Sequence, residues 1–510
     1  MRERMSSVDT AWLRMDRPTN RMVIVGVLVF DTPLDHDRLR ATVEARMLRY
    51  RRFRMRPVEG PTGSWWEEAR RFDPANHVLR ATLPAEAGPD ALKRLAGKLA
   101  SRPFARGRPW WEFHLVERYG SGSALIARIH HSYADGIALI GVMLSLTDAS
   151  PEAPVDAAPA RPGRAARSDA ADGFLAQLLA PLSNAASGAL RLSSEALEKY
   201  VALLRNPRKV IEYARIAGSV AAEVAQLATM PDDSRTRFKG KAGPKKVVAW
   251  AEPLPLDEVK AVGRALGCSV NDVLLATAAG ALRRYLVAKG DRVGGVELRA
   301  MVPVNLRPPR DDGELGNRFG LVTLLLPVGV ANPLARLYEV HRRMEALKTS
   351  YQPVIAFGVL ALAGLLPRVA QQEMLDLLAN KATAVMTNVP GPQQPRFLAG
   401  ARLAQIMFWV PQSGDIGMGV SILSYAGGVQ FGLITDAGRV PDPERVIAGF
   451  RPEFERLLLT VLMEPWDTRR APALIERELA AATGKRRARS RPGLRKPRAK
   501  AAQPRRAGAA

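Results

Sequence analysis

The chain alternates between two patterns of hydrophobic residues. Short, almost continuous apolar runs predict buried strands, and longer segments with apolar residues three or four positions apart predict helices. In the first part of the chain, apolar runs predict strands at 22–30, 108–116 and 123–129. Helical periodicity is found in the segments 6–13, 35–47, 89–99 and 137–144. This order predicts an N-terminal α/β domain of ordinary size.

The second half of the chain repeats the alternation. Strands are predicted at 247–251, 297–306, 321–328, 383–388, 419–425 and 429–435, and helices at 257–266, 269–289 and 442–462. The last two strands flank Gly427 and Gly428, which form the strongest hairpin signal in the chain. Strands and helices that alternate in both halves predict an α/β or α+β protein with two domains of similar size.

A different composition separates the two halves. Residues 148–172 are rich in Ala, Pro and Arg and have little apolar periodicity, which is typical of a linker. Residues 173–226 have a helical pattern that predicts helices packed on or between the domains. We therefore expect an N-terminal domain at 1–150, a linker with connecting helices at 151–235, a C-terminal domain at 236–470 and a tail at 471–510.

The formal net charge of +25 is unevenly distributed. Residues 485–510 contain eleven Lys or Arg and no acidic residue, which leaves +14 for the rest of the chain. Both parts favour anionic partners. For the basic tail we expect a solvated, disordered arm, with association with anionic lipid as the functional alternative. Nucleic-acid binding is disfavoured because the tail has no aromatic residue to stack on bases.

The number of cysteines and the length of the apolar segments indicate in which cellular compartment the protein is expected. The single cysteine, Cys268, excludes an intramolecular disulfide and suggests a reducing environment. Charged residues stand at the N-terminus where a signal peptide would be apolar. No stretch reaches the roughly 20 apolar residues of a membrane span. The nearest, 353–367, predicts a buried helix, with a face that dips into a lipid surface as the alternative. We expect a cytoplasmic protein.

Two of the six histidines stand together where a predicted strand meets a loop, in the sequence His130-His131-Ser132-Tyr133-Ala134-Asp135-Gly136. Successive strand residues point to opposite faces, so the two imidazoles should have different roles. A neutral histidine can act as general base towards a hydroxyl group, and the alternative is that both brace the loop while Asp135 caps the following helix. A shared metal is disfavoured because no further ligand lies at a recognisable spacing.

The signatures of several other enzyme classes are missing from the chain. It contains no Gly-x-Ser-x-Gly nucleophile elbow, no Walker phosphate loop and no His-Glu-x-x-His zinc helix. A serine-nucleophile lipase is therefore disfavoured.

The motif His130-His131-x-x-x-Asp135-Gly136 is similar to the His-His-x-x-x-Asp-Gly motif of the CoA-dependent acyltransferase superfamily. More narrowly, the chain resembles the bacterial wax ester synthase/diacylglycerol acyltransferase family. Further matching segments follow in order, and they are Ser7-Val-Asp9, Arg108-Pro-Trp-Trp111, Asn271-Asp272, Met301-Val-Pro-Val-Asn-Leu-Arg307, Leu315-Gly-Asn-Arg-Phe-Gly320 and Thr387-Asn-Val-Pro-Gly-Pro392. Trp110 is a departure, since the family usually has Pro-Leu-Trp, but the position stays apolar. The resemblance covers residues from about 6 to 465.

The resemblance implies two chloramphenicol-acetyltransferase-like domains, each a mixed sheet with helices, joined by a helical linker and facing across a substrate tunnel. It implies that His131 is the general base, supported by His130 and Gly136 of the motif. Asp135 would hold the loop, with Arg307 as its ion-pair partner. The acyl donor would be a fatty acyl-CoA, with no permanently bound cofactor and no metal.

The start of one predicted helix has both a local and a functional interpretation. Asn271 and Asp272 begin a helix, where free backbone N–H groups and the positive end of the helix dipole could stabilise an oxyanion. Simple N-capping is the alternative. We expect His114 to brace the sheet, and the turn at 388–392 to shape the tunnel wall.

The resemblance therefore predicts an acyl-CoA-dependent O-acyltransferase that makes triacylglycerol, wax esters or both. One alternative is a condensation-like enzyme whose acyl donor is bound to a carrier protein. A second is a non-catalytic protein of lipid surfaces. We expect peripheral association with an anionic membrane or a lipid droplet and no specific nucleic acid. The preference between diacylglycerol and fatty alcohol, the acyl chain length and the oligomeric state stay open.

Overall fold

The structure describes most of the residues in both predicted halves of the chain. The computed structural model describes residues 2–60, 63–84, 88–156, 230–306, 317, 319–347, 355, 356, 360, 368, 369, 371–373 and 381–463. Residues Met1–Glu464 form one compact unit. Arg307, the tail at 471–510 and most of the expected linker lie outside the described residues.

The first half contains most of one large sheet, a separate sheet of three strands, and several helices. Its strands are β1 Arg2–Arg4, β2 Val23–Phe30, β3 Met55–Gly60, β4 Gly63–Glu68, β5 Val78–Ala81, β6 Trp111–Tyr119, β7 Gly122–His130 and β8 Thr147–Asp148. Its helices are α1 Ser7–Met15, α2 His36–Arg46, α3 Pro89–Ser101 and α4 Gly136–Ser145. Short 3-10 turns occur at Met47–Arg49, Arg51–Arg54 and Pro74–Asn76.

The second half contributes a second sheet and longer helices. Its strands are β9 Lys246–Trp250, β10 Leu254–Pro255, β11 Leu298–Asn305, β12 Phe319–Leu326, β13 Ala384–Pro390, β14 Phe397–Leu398, β15 Ala401–Trp409, β16 Met418–Tyr425 and β17 Gly428–Asp436. Its helices are α5 Leu256–Leu266, α6 Val270–Ala288, α7 Pro333–Leu347, α8 Pro443–Ile447 and α9 Phe450–Met463.

Two mixed seven-stranded sheets organise the described part of the chain. The first has the order β5-β6-β7-β2-β15-β14-β8, and only the β5–β6 pair in it is parallel. The second has the order β10-β17-β16-β13-β11-β12, with β9 also paired to β17. Strand β13 is parallel to both of its neighbours. The expectation of an α/β protein with two mixed sheets is confirmed.

The second half of the chain supplies two strands to the first sheet. Strand β15 pairs antiparallel with β2, so that Phe408 lies opposite Gly26 and Trp409 lies opposite Val25. Strand β14 joins β15 to β8 at the sheet edge. No strand is predicted from the sequence at 397–409, and a period-two pattern would in any case not show which sheet a strand joins.

A shared core connects the two sheets. It contains Val25 of β2, Leu92 of α3, Trp250 of β9, Trp409 of β15 and Ile434 of β17, all buried. Trp409 approaches β17 so closely that a Cβ at Gly432 would lie 2.9 Å from its indole nitrogen. The backbone N–H of Lys246 donates to the Ser101 hydroxyl of α3 at 2.9 Å. The two halves are therefore held together by packed side chains as well as by strand exchange.

The structure differs from the sequence predictions in two places near the C-terminus. The helix predicted at 442–462 is broken at residues 448 and 449 into α8 and α9. The predicted hairpin is present, but its two turn residues are Ala426 and Gly427, while Gly428 already pairs with Tyr425. Ala426 and Gly427 have φ of 46° and 80°, the left-handed conformation that a two-residue type I′ turn requires.

Among the helices of the described residues, no single one is long and apolar enough to cross a bilayer. Helices α5 and α6 reach that length and apolar character only as a pair, and they are bent by 101° relative to each other.

Replacing Ala426 with glycine should stabilise the protein. An L-residue with a Cβ costs about 1–2 kcal/mol in the left-handed region, and glycine does not. Because glycine also gives the unfolded chain more freedom, we expect a net gain of about 0.5–1 kcal/mol in the free energy of unfolding. Urea denaturation of Ala426→Gly measures it. An unchanged or lower midpoint would contradict a strained turn.

Candidate active site

The motif containing the two histidines lies between a fully buried strand and a helix that is buried on one side. Strand β7 ends at His130, and α4 begins at Gly136. The Asp135 carboxylate accepts a hydrogen bond from the backbone N–H of Ala138 at 2.9 Å and so caps α4. His130, His131 and Asp135 are all buried. Two rigid elements thus hold the loop at both ends.

His131 is fixed by its backbone and by its ring. Its N–H donates to the carbonyl of Met22 at 2.7 Å, which continues the β2–β7 ladder by one residue. Its imidazole stacks on the indole of Trp12, with ring centroids 4.0 Å apart and planes inclined by 21°. The Phe319 ring lies 5.8 Å away on centroids. Trp12 of α1, Met22 just before β2 and Phe319 of β12 therefore determine where this imidazole lies.

Asn317 joins the same constellation from the second half of the chain. Its side-chain amide donates to the carbonyl of His131 at 3.0 Å and to the Asp9 carboxylate at 2.8 Å. Asp9 lies in the first turn of α1, where its N–H donates to the Ser6 hydroxyl. Arg52 approaches the other Asp9 oxygen at 3.4 Å. Although burial raises the pKa of Asp9, Arg52 and Asn317 act in the opposite direction.

Burial keeps the imidazole of His131 neutral. Removal from water lowers the pKa of His131 from its ordinary value of 6.5 to about 4, since a charged ring would lose hydration. The negative charge of Asp135 and the hydrogen bonding of Asn317 oppose this shift only in part. At neutral pH the ring is therefore uncharged, and one of its two nitrogens can accept a proton.

His130 has a different environment on the other face of the strand. Its Nδ1 lies 2.8 Å from the Ser132 hydroxyl, and its backbone N–H donates to the carbonyl of Trp110 at 2.9 Å. The Trp110 ring meets its imidazole edge to face. Burial and the neighbouring charges of His131 and Arg21 lower the pKa of His130 to about 3. These contacts bind it to the loop.

Tyr133 anchors the middle of the loop. Its hydroxyl donates to the carbonyl of Met55 at 2.6 Å and accepts from the N–H of Trp110 at 2.9 Å. Its ring is buried against Phe53 and Trp66. The three loop positions between His131 and Asp135 are thus packed, and the loop has little freedom.

His114 belongs to an ionic network on β6 and β7. Its Nε2 lies 2.9 Å from the Glu112 carboxylate, which also pairs with the buried guanidinium of Arg128 at 2.7 Å and with Arg102 at 2.5 Å. The hydrogen bond from His114 and the two arginine charges hold the pKa of Glu112 at about 2 despite its burial. The contacts of His114 brace neighbouring strands.

Asn271 and Asp272 stand at the start of α6. The Asp272 carboxylate accepts from the N–H of Ser269 at 2.8 Å, and the Ser269 hydroxyl accepts from the N–H of Asp272, which together form a capping box. The amide oxygen of Asn271 accepts from the amide of Asn388 in β13. Within the described residues, no hydrogen bond joins Asn271 or Asp272 to His131.

Cys268, Asp272 and His341 place one possible metal-ligand atom each within 4.8 Å of one another. Hydrogen bonds within the protein already engage these side chains. His341 Nδ1 lies 2.8 Å from the Asp272 carboxylate, and the Cys268 thiol contacts the carbonyl of Leu266 at 3.6 Å. Burial and the charge of Asp272 raise the pKa of Cys268 to about 12, which opposes the thiolate that a metal requires. The arrangement fits a helix cap better than a metal site.

An apolar pocket begins beside the motif and runs beneath α4. Gly136, Leu139, Ile140 and Met143 form its roof, and the first sheet forms its floor. The floor residues include Ile24, Gly26, Leu28, Ala127, Ile129, Ile406 and Phe408. The lining is almost entirely apolar, as expected for a site that holds an apolar ligand. The pocket suits an apolar ligand close to His131.

The structure brings together part of the expected site and adds residues to it. His130, His131, Asp135 and Gly136 form one unit, and Asn271 and Asp272 a separate one. Trp12, Asp9 and Asn317 around His131 had no predicted role. Asp9 and Asn317 lie in two segments that match the family, Ser7-Val-Asp9 and Leu315-Gly-Asn-Arg-Phe-Gly320. The sequence therefore held a signal for them, but no distance information to connect it with His131.

Two mixed sheets with a buried histidine at the end of a strand define an acyltransferase-like fold. Residues 5–274 match the wax ester synthase/diacylglycerol acyltransferase catalytic domain, and residues 315–458 match the WS/DGAT C-terminal domain. The chain belongs to the wax ester synthase/diacylglycerol acyltransferase family, and it is an acyltransferase of that family.

Curated relatives and solved structures are similar along most of the chain. A probable diacylglycerol O-acyltransferase of Mycobacterium tuberculosis is 29% identical over 418 residues, which cover 80% of this chain and 84% of that protein. A second, putative one is 28% identical over 482 residues, covering 89% and 97%.

Among solved structures, the wax ester synthase/diacylglycerol acyltransferase of Marinobacter aquaeolei has the same fold. Its TM-score is 0.62 at 21% identity, over 90% of this chain and 100% of that chain. The first condensation domain of the calcium-dependent antibiotic synthetase has a TM-score of 0.55 at 15% identity, over 92% and 98%.

Replacing Asn317 with alanine should reduce turnover more than stability alone explains. The carbonyl of His131 and the carboxylate of Asp9 would each lose a donor, and small displacements of a reacting group cost up to about 100-fold in rate. We expect kcat/KM for acyl transfer to fall about 10- to 100-fold in a folded protein.

The matched control is Asn332→Ala. Asn332 accepts from the N–H groups of Leu334 and Ala335 near the start of α7. Its loss should cost about 1 kcal/mol of stability and leave kcat/KM unchanged. Equal effects of both variants on kcat/KM would show that Asn317 does not position His131.

Proposed function

We propose that this protein transfers a long-chain acyl group from fatty acyl-CoA to the hydroxyl of diacylglycerol, of a long-chain alcohol, or of both. The observation that carries the proposal is the neutral imidazole of His131, fixed beside an apolar pocket. The relatives named as diacylglycerol O-acyltransferases support the first acceptor. The family as a whole supports both acceptors.

In the proposed reaction, His131 acts as general base. Its imidazole takes the proton of the acceptor hydroxyl while the oxygen attacks the thioester carbonyl. The tetrahedral intermediate then collapses, the carbon–sulfur bond breaks, and the imidazolium returns the proton to the leaving CoA thiolate. General-base assistance of this kind contributes about 10²–10⁴-fold to a rate. The acyl group passes directly between substrates, so no acyl-enzyme and no permanently bound cofactor take part.

Burial affects the base in two ways. It keeps nearly all of His131 unprotonated at cellular pH, because the pKa of about 4 lies well below that range. Burial also destabilises the charged imidazolium form of His131, so this form should exist only briefly during the reaction. The negative charge of the Asp135 carboxylate partly stabilises the imidazolium. In this proposal Asp135 acts on His131 through its charge and through the helix cap, and Arg307 remains its expected ion-pair partner.

Asn271 is the better candidate for oxyanion stabilisation than Asp272. The Asp272 carboxylate serves the capping box and His341, and a negative charge would repel an oxyanion. Asn271 carries a neutral amide at the positive end of the α6 dipole and is oriented by Asn388. In the proposed role, its amide group and the first N–H groups of α6 would face the thioester oxygen.

We also propose that the protein associates peripherally with anionic membranes or lipid droplets on the cytoplasmic side. The last turns of α9 expose Leu459, Leu462 and Met463, with exposed fractions of 54%, 69% and 83%. Their spacing places them on one side of the helix. The sequence that follows carries the eleven cations of residues 485–510. Apolar insertion and attraction to anionic head groups would act together. No specific nucleic acid is expected.

Replacement of His131 tests the mechanism. With palmitoyl-CoA and diolein or hexadecanol, His131→Ala should release free CoA at least about 100-fold more slowly, since the base is lost. His130→Ala should be milder, because it removes a loop contact. His36→Ala, on α2, should have no effect. Full activity of His131→Ala would refute the mechanism. Activity with an acylated carrier protein and none with acyl-CoA would favour the condensation-like alternative.

Flotation with vesicles tests the membrane proposal. Wild-type protein should bind vesicles that contain phosphatidylglycerol and lose part of that binding at high salt. The double variant Leu462→Ser with Met463→Ser should bind at least about tenfold more weakly, because two exposed apolar side chains are lost. Val287→Ser removes an exposed apolar residue of α6 and serves as the control. Equal binding of all three proteins would exclude this surface.

A further inference from the structure

Gly26 interrupts the apolar floor of the pocket at its centre. It lies in β2, the central strand of the first sheet, and is nevertheless partly exposed. In the same row across the sheet, Ala127 of β7 lies on one side of it and Phe408 of β15 on the other. All three residues line the pocket. Two adjacent small residues thus leave a depression in the floor.

Neither the backbone nor packing requires a glycine at this position. Gly26 is not among the described residues with positive φ. A Cβ placed on it would lie 3.7 Å from the carbonyl oxygen of Met407 and 3.9 Å from Ala127, which are ordinary contacts. Glycine inside a strand costs stability and often marks a place where a ligand approaches the backbone. What the missing side chain preserves is the free space of the pocket.

The strand register places this depression at a defined distance from His131. Ala127 precedes His131 by four residues on the same strand face, and a strand rises about 3.4 Å per residue, so the separation is about 13 Å. With carbon–carbon bonds of about 1.5 Å, an extended methylene chain advances about 1.3 Å per carbon. A chain that starts at His131 would therefore cross Gly26 about ten carbons from its reacting end.

The pocket continues beyond this row. Leu28 and Ile406 form the next row of the floor, and Leu144 and Thr147 lie at the end of α4. Leu125 pairs with Leu28 and precedes His131 by six positions along the chain. The corresponding distance is about 20 Å, which matches a chain of about 16 carbons.

We propose that the acyl chain of the donor lies along this face beneath α4, and that Gly26 together with Ala127 determines how long a chain the enzyme accepts. The inference rests on the proposed function and adds the place where the chain lies and the residue that limits its length. The floor of the pocket consists of successive cross-strand rows of residues, which follow one another in a single direction below α4. It suits one unbranched chain, whereas diacylglycerol carries two chains on a polar centre.

The test compares chain-length profiles of wild type and Gly26→Leu. Acyl-CoA donors from six to eighteen carbons are offered with one acceptor, and then alcohols of the same lengths are offered with one short acyl-CoA. In Gly26→Leu, kcat/KM should stay within about threefold of wild type for an eight-carbon donor and fall at least about 100-fold for a sixteen-carbon donor. The alcohol profile should not change.

Two further variants keep the result interpretable. Ala127→Leu blocks the same row from the neighbouring strand and should give the same cut-off length. Gly141→Leu adds an equal side chain to the exposed side of α4, where nothing lies within 4 Å, and should leave the profile unchanged. If Gly26→Leu does not fold, Gly26→Ala, whose Cβ fits without displacement, should shift the preferred donor towards shorter chains.

The outcomes separate the inference from the proposed function. Wild-type activity with an unchanged donor profile in the folded Gly26 and Ala127 variants would overturn the inference and leave the proposed function intact. A shortened alcohol profile with an unchanged donor profile would also overturn it, because the pocket would then hold the acceptor. Failure of wild type to release CoA with any donor and acceptor would instead remove the proposed function itself.

Discussion

The burial of one imidazole against one indole is the constraint on which the site depends. The stacked pair of His131 and Trp12 excludes water from the ring, and that exclusion lowers the pKa of His131 to about 4. Helix α1 must therefore lie against the end of β7. Ser6 caps the helix, and Asn317 ties Asp9 of its first turn to the carbonyl of His131. The electrostatic environment of His131 thus requires contacts from both halves of the chain.

Because β15 joins the first sheet, both halves of the chain line the same pocket. Because β15 pairs with β2, residues of the second half form one wall of the pocket whose other walls belong to the first half. Asn317 also connects the second half to the first, because its side-chain amide donates to the carbonyl of His131. Neither half would form this arrangement alone, which gives a physical reason for the family's two-part architecture. In the proposed function, the same arrangement orients the two apolar substrates for direct transfer.

The sequence predicts features that depend on neighbours along the chain. The cap at Asp135, the helix that begins near Asn271 and the strands β2, β7, β16 and β17 follow from local patterns. Alternation along β7 explains why His130 and His131 have different surroundings. Features that depend on distant pairing could not be derived. No periodicity indicates that β15 joins the first sheet, that Trp12 stacks on His131, or that Asn317 reaches Asp9. The resemblance to a family predicts the chemistry of the motif, whereas the contacts of these partners with His131 are seen only in the structure.

The pKa of His131 tests the central claim most directly. In protein with isotope-labelled histidine, His131→Gln identifies the ring signal of His131 among the six histidines, and the signal is followed by NMR from pH 8 to the acid limit of the folded state. A ring that burial keeps neutral should show no titration above about pH 5. Titration near the ordinary value of 6.5 would show that water reaches the ring and would contradict a buried imidazole that is neutral in the resting protein.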